Sequence, residues 1–112
     1  MQIISWKNAT FKAGEVNIEV MTQNDSAKEI RIAMAKDSVM KEHKAPFSIF
    51  VQVLSGSIEF EVQGQKLDMQ TLDMIALDAN IPHSLKARQD SIIRLSLAKN
   101  DSVSRVSAVL KQ

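Results

Sequence analysis

The sequence predicts an all-β protein, either a sandwich or a closed barrel, and three features of the chain support this fold class. Apolar and polar residues alternate with a period of two in most segments, as they do in strands with one solvent-exposed face. Turn-forming residues separate these segments at intervals of roughly 8 to 12 residues, the spacing typical of sandwiches and barrels. A helical spacing of apolar residues is found at the carboxyl end.

Three strands are predicted before the middle of the chain. Residues 16–21 alternate between apolar and polar side chains, and residues 22–26 (TQNDS) have turn composition. Residues 29–36 alternate in the same way, and residues 39–44 lead past a histidine to Pro46, which resets the backbone before the next strand. The sequence therefore predicts three short strands ahead of a central hairpin.

The central hairpin, residues 47–62 (FSIFVQVLSGSIEFEV), is the segment around which the fold is organised. Its first strand is apolar on both parities, which predicts that both of its faces are covered. Ser55 and Gly56 provide the turn. In the second strand, Ile58 and Phe60 share one face with Val62 and alternate with polar residues, as expected for a strand with one wet face.

Four more segments follow the hairpin. The sequence predicts strands at residues 66–69, 74–77, 81–88 and 91–97, with turns between them. The second of these strands is expected to be buried, with Met74 as a core residue. After Asp101 and Ser102, which have N-cap composition, apolar residues recur at spacings of three and four, and this pattern predicts a short C-terminal helix within residues 101–112. We expect one domain over residues 1–112, with its barrel core at about residues 28–98.

Composition excludes several classes of function. The 112 residues are 45% hydrophobic and 24% charged with a net charge of +1, so neither nucleic acid nor a membrane is an expected partner. No apolar run approaches the ~20 residues of a membrane span, and no signal peptide is recognisable at the amino terminus. The absence of cysteine fits a cytoplasmic protein.

A homodimer is the expected assembly. Barrels and sandwiches must pair or close their edge strands, and the N-terminal segment 1–25 is the natural candidate to pair with a second subunit. Phe50 and Leu54 lie on the opposite parity from Val51, so they are expected to pack against that partner.

The segments VLSGSIEFEVQGQ and LDANIPHSLKA resemble the central hairpin and the second motif of small single-domain cupins of the RmlC-like type. The resemblance covers about residues 30–97 and implies a double-stranded β-helix, or jelly-roll barrel. The first cupin motif aligns without insertion on Asp37, His43, Ala45, Ile49 and Gly56, and the second on Leu72, Asp78, Asn80, His83 and Ala87. Only His43, Gly56 and His83 keep the residue type of the motif.

The departures from the motif weaken the metal site that the resemblance implies. Metal-binding cupins use three histidines and one glutamate, and two of these four positions are Ala45 and Ile49, which cannot ligate. His43 and His83 supply two ligands, whereas a catalytic metal centre normally has three protein ligands and an open position. We expect no tightly held cofactor and, at most, a weakly bound Ni, Zn, Fe, Mn or Cu ion on the two histidines.

Three functions fit these residues. The leading hypothesis is a binding module that holds a small apolar or sugar-like ligand in the barrel, where the resemblance places His43, His83, Ala45, Phe47, Ile49 and Val51 around it. The resemblance also implies that the two histidines point into the barrel from opposing strands. The second is a metal-dependent enzyme of the dioxygenase or isomerase type with an incomplete two-histidine site. The third is a structural or regulatory dimeric sensor module. The sequence alone does not decide whether the protein is an enzyme.

Overall fold

The computed structural model describes residues 1–111, most of which lie in nine strands and one helix. The elements are β1 (Val16–Gln23), β2 (Ala27–Met34), β3 (Val39–His43), β4 (Ile49–Ser55), β5 (Ser57–Val62), β6 (Gln65–Gln70), β7 (Met74–Leu77), β8 (His83–Ala87), β9 (Ser91–Ala98) and α1 (Val103–Val109). Each segment predicted as a strand is a strand, and the C-terminal helix is also confirmed. Gln112, the end of the predicted tail, lies outside the described residues.

The strands form two antiparallel sheets, as the predicted all-β jelly roll requires. One sheet has five strands in the order β1-β2-β9-β4-β7, and the other has four in the order β3-β8-β5-β6. The predicted central hairpin is wrong, because β4 pairs with β7 and β9 while β5 pairs with β6 and β8, so the two consecutive strands do not pair with each other. The chain instead passes from one sheet to the other at Gly56, and both strands contribute side chains to the core.

Apolar side chains from both sheets and from α1 fill the space between the sheets. The largest fully buried side chains are Phe60, Ile30, Met34, Met40, Ile58, Ile93, Leu97, Val53 and Val106. Burial follows the alternation in β5, where Ile58, Phe60 and Val62 are buried and Glu61 is exposed. The period of two in the sequence thus identifies the face of this strand that packs into the core.

Two predictions about burial are wrong for the single chain. β4 begins at Ile49 rather than Phe47, and only one of its faces is covered, since Phe50 on the outer face is 52% exposed. Met74, interpreted as a core residue, is 49% exposed on the neighbouring strand β7. Both errors arise because an apolar residue does not reveal whether its face of a sheet is covered by the same chain.

The N-terminal residues 1–12 form neither strand nor helix. Arg31 holds this segment to the five-stranded sheet, because its Nη1 donates to the carbonyl oxygen of Trp6 at 3.2 Å. Met1 and Ile3 are fully exposed. Within residues 1–111, no helix is long and apolar enough to cross a bilayer.

Candidate functional site

The two histidines of the chain lie side by side on adjacent strands. His43 ends β3, His83 begins β8, and the two residues are register partners in the antiparallel pair. They therefore lie on neighbouring strands of one sheet, and the expectation that they point into the barrel from opposing strands is wrong. The structure thus brings together the two histidines that match the cupin motifs.

A β-bulge turns His43 into the barrel. The register between β3 and β8 shifts between Met40 and His43, so three steps on β3 correspond to two on β8. In a regular strand, residues three positions apart point to opposite faces. The extra residue of the bulge changes this, so Met40 and His43 both line the barrel interior. The same bulge leaves Glu42 exposed. Without the bulge, Glu42 would face the interior and His43 would face outward.

The imidazole rings contact each other and one aromatic core residue. The ring centroids of His43 and His83 are 4.4 Å apart at an interplanar angle of 61°, an edge-to-face arrangement. The His83 ring stacks on Phe60, with centroids 5.4 Å apart and planes 11° from parallel. Phe60 is fully buried and His83 is 3% exposed, so this side of the pair is part of the core.

Main-chain carbonyl groups fix the same tautomer in both rings. Nδ1 of His43 lies 2.6 Å from the carbonyl oxygen of Lys41, and Nδ1 of His83 lies 2.8 Å from that of Ile81. A carbonyl oxygen can only accept, so each Nδ1 carries the proton and donates it. Each neutral ring therefore keeps its lone pair on Nε2, where it can accept a hydrogen bond or bind a metal.

Both rings are neutral at pH 7. Burial, with smaller contributions from the neighbouring His43 and Arg105, lowers the pKa of His83 to about 4 against the opposing effect of the Ile81 carbonyl. Burial also lowers the pKa of His43, with a smaller contribution from the charge of Arg105. The site therefore presents two uncharged hydrogen-bond acceptors in an apolar setting.

A small cavity of about 20 Å³ lies beside the two rings. Its lining residues are Ile32, Met40, His43, Ile49, Val51, His83, Leu85, Leu95, Arg105 and Val106. Of the predicted ligand-binding residues, His43, His83, Ile49 and Val51 are in this lining. Ala45 is buried in the core outside the lining, and Phe47 is outside it and 37% exposed.

Helix α1 supplies two lining residues that sequence reasoning missed. Val106 is 2% exposed and packs into the hydrophobic core of the barrel. Arg105 is held by the carboxylate of Asp101, with Nε 2.7 Å from Oδ1 and Nη2 2.8 Å from Oδ2. The spacing of the valines predicts a helix with one apolar face, but nothing in that spacing indicates that the face packs against the barrel.

The residues around the cavity do not fit a tightly bound metal. Among residues 1–111, no group of three or more histidine, cysteine, aspartate or glutamate side chains is arranged to hold a metal ion. Ala45 and Ile49 have no donor atoms, and Glu42 is exposed. The positive charge of Arg105 close to both rings also disfavours a cation.

Solved structures identify the fold. This chain is similar to a cupin superfamily protein from Desulfitobacterium hafniense, with 14% identity over 80% of this chain and 83% of that chain and a TM-score of 0.74. It is also similar to an RmlC-like cupin protein from Desulfovibrio desulfuricans, with 14% identity over 88% and 95% of the two chains and a TM-score of 0.75.

A third similar structure is a cupin 2 conserved barrel domain protein from Leptotrichia buccalis, with 24% identity over 81% of this chain and 44% of that chain and a TM-score of 0.72. The chain therefore has the cupin fold, which confirms the predicted jelly-roll barrel. Neither a family model nor a curated protein matches the sequence. At these levels of identity the likeness is one of fold.

Proposed function

We propose that the protein is a cupin-fold binding module that holds a small molecule against His43 and His83 without a tightly bound metal. The observation that carries the proposal is the contact between two neutral imidazoles, with centroids 4.4 Å apart, beside an apolar cavity. Ligand sites are typically apolar cavities with a few convergent polar groups, and this site has that composition.

The chemistry of the site favours a ligand that donates hydrogen bonds. The Nδ1–H groups of His43 and His83 are already used by main-chain carbonyls, so each ring offers only an acceptor, Nε2. The other strand residues of the lining are hydrocarbon or thioether side chains. A hydroxylated molecule with an apolar body matches these groups better than a heavily charged one.

A screen of thermal stability tests this proposal. Aromatic and aliphatic alcohols, sugars, and chlorides of Ni²⁺, Zn²⁺ and Mn²⁺ would each be added to chelator-treated protein, with unfolding followed by circular dichroism. We expect hydroxylated apolar compounds to raise the Tm, because a ligand that prefers the folded state stabilises it. Lower stabilisation in His83→Phe, with no change in an exposed variant such as Lys44→Gln, would place the compound at the imidazoles.

The metal-dependent alternative makes a distinct prediction in the same screen. Two imidazoles completed by water would bind a divalent ion weakly, since a stable site normally needs at least three protein ligands. Stoichiometric, sub-micromolar binding of one of these ions, measured by calorimetry, would contradict the proposal and favour an enzyme.

We also propose that the protein forms a homodimer through the outer face of its five-stranded sheet. Phe50 and Met74 are about half exposed there, and Leu54 on the same face is partly exposed. β1 forms the edge of this sheet, and Met1 and Ile3 of the adjoining segment are fully exposed. A second copy of the chain would cover these apolar surfaces and the unpaired strand edge.

A further inference from the structure

Helix α1 closes the barrel over the candidate site. Eight of the ten residues that line the cavity lie on strands, and the other two, Arg105 and Val106, lie on α1. The cavity that they leave, about 20 Å³, has room for about one water molecule. A ligand larger than water therefore cannot occupy the site while α1 is in this position.

Little in the sequence of α1 keeps it helical without the barrel. The helix has seven residues, and isolated helices shorter than about 12 residues are marginal in water. Ser102 at its N-cap makes no side-chain capping bond, and the helix has neither an acidic residue in its first turn nor a basic residue in its last. Its position depends on the burial of Val106 and Val109 and on the bond between Arg105 and Asp101.

The chain before α1 is attached to the barrel at two points. The amide of Lys99 donates to the carbonyl oxygen of Ser26 at 3.2 Å, and Nζ of Lys28 donates to the carbonyl oxygen of Asp101 at 2.5 Å. Asp101 thus belongs to the fixed part of the molecule, whereas Arg105 belongs to the helix. The Arg105–Asp101 pair therefore joins the helix to the barrel across Ser102, where a hinge would lie.

We infer that α1 is a lid that moves about Ser102 to admit ligand to the two imidazoles, with Val106 as its plug and Arg105–Asp101 as its latch. This inference rests on the proposed binding function and adds a control of access to it. Elements held by few buried contacts open at lower free-energy cost than the core of a domain, and α1 has the features of such an element.

Chemical modification of the histidines tests the lid directly. Diethyl pyrocarbonate is much larger than water and modifies neutral imidazoles, and the two histidines of the chain can be followed by peptide mass spectrometry. The variant Val106→Asn puts a polar amide in the core position without changing the charge, so it should release the helix. The matched control is Ser104→Asn, on the exposed face of the same helix.

We expect His83, which is buried, to be modified at least about tenfold faster in Val106→Asn than in the wild-type protein, and at the wild-type rate in Ser104→Asn. Circular dichroism must show an intact β-sheet spectrum in both variants. A folded Val106→Asn protein that is modified no faster than wild type would overturn the lid.

Hydrogen exchange of the unmodified protein provides a second test that needs no variant. Amides of residues 107–109 should exchange at least about tenfold faster than those of Val53 and Ile93 in the central strands, because opening of the lid does not require the barrel to unfold. Equal protection of the helix and these strands would show that α1 opens only with global unfolding, and the inference would be wrong.

The two proposals can fail separately. If Val106→Asn accelerates modification but no screened compound stabilises either protein, the lid holds and the binding function fails. If compounds stabilise the wild-type protein through His83 while the helix exchanges as slowly as the core, the binding function holds and the lid fails.

Discussion

His83 is the residue at which burial has the largest electrostatic consequence. Its ring is 3% exposed, stacks on Phe60 and contacts His43, so a positive charge there would have neither water nor an anion to stabilise it. The pKa of His83 therefore falls from the ordinary 6.5 to about 4. This shift makes the stability of the protein dependent on pH.

We predict that the free energy of unfolding falls as the pH is lowered from 7 to 4.5. Between pH 6.5 and 4, His83 is protonated in the unfolded chain but not in the folded one, so the unfolded state binds more protons and is favoured by acid. Since one pKa unit corresponds to about 1.4 kcal/mol, His83 should account for about 2 to 3 kcal/mol of this loss. Urea unfolding at a series of pH values measures it.

The control is His83→Phe, which keeps an aromatic ring against Phe60 but cannot titrate. Protonation of carboxylates is common to both proteins, so the difference between their pH profiles isolates His83. Parallel profiles between pH 7 and 4.5 would mean that the pKa of this ring is not depressed.

Gly56 is a second residue whose identity is dictated by its surroundings. Its φ is +93°, and a Cβ at this position would lie 2.6 Å from the Asp90 carbonyl oxygen and 2.8 Å from Ser91 Cα. These are main-chain atoms of the turn into β9, so they cannot move aside cheaply. The match of Gly56 to the cupin motif thus has a steric explanation in this chain.

We predict that Gly56→Ala destabilises the protein by about 2 to 4 kcal/mol, through both backbone strain and the clash with the β9 turn. The matched control is Gly64→Ala, because Gly64 also has a positive φ (+75°) but faces open space. Gly64→Ala should cost only about 1 kcal/mol. Equal losses for the two variants, measured by urea unfolding, would show that the close approach to β9 is unimportant.

At the level of elements, the strands could be predicted from the sequence because each has an apolar face of period two. The side chains that form the site are less predictable. A bulge in β3 brings His43 to the interior, and a bulge is a single extra residue in one strand that leaves no trace in the alternation. The match to the cupin motif points to His43, which lines the interior, whereas strand parity alone would have favoured Glu42.

The position of α1 could not be predicted for a different reason. The spacing of Val103, Val106 and Val109 predicts a helix with one apolar face but does not say which surface that face covers. That choice depends on packing between distant parts of the chain, here with β3, the strand that carries His43. The contribution of Arg105 to the cavity follows from this packing and was therefore missed.

We predict that Arg105→Gln lowers the free energy of unfolding by about 2 kcal/mol. The side chain of Asp101 is 1% exposed, so removal of the guanidinium would leave a buried carboxylate without its main partner. The comparison is Arg88→Gln, which breaks the surface pair with Asp68, 2.8 Å apart with both side chains about half exposed. That change should cost less than about 0.5 kcal/mol in the same urea experiment. A similar small loss for both would show that the latch contributes little stability.

For the whole molecule, the outer face of the five-stranded sheet is the surface on which the proposed homodimer depends. This face combines apolar side chains with ion pairs: Phe50, Leu54 and Met74 lie near the pair between Arg94 Nε and Glu29 Oε1, which are 2.7 Å apart. The opposite sheet has a different outer face, where exposed charges such as Lys86 and Glu61 predominate. This asymmetry supports the proposal that the five-stranded sheet, rather than the four-stranded one, forms the homodimer interface.

We predict that the protein sediments as a dimer at micromolar concentration and that Phe50→Glu shifts it to a monomer, because a charge at the centre of the apolar face would be desolvated in the dimer. Val39→Glu is the matched control, since Val39 is 49% exposed, close to the 52% of Phe50, but lies on the four-stranded sheet. The control should remain dimeric. A monomeric wild-type protein, or equal dissociation of the two variants, would mean that this face does not form the interface.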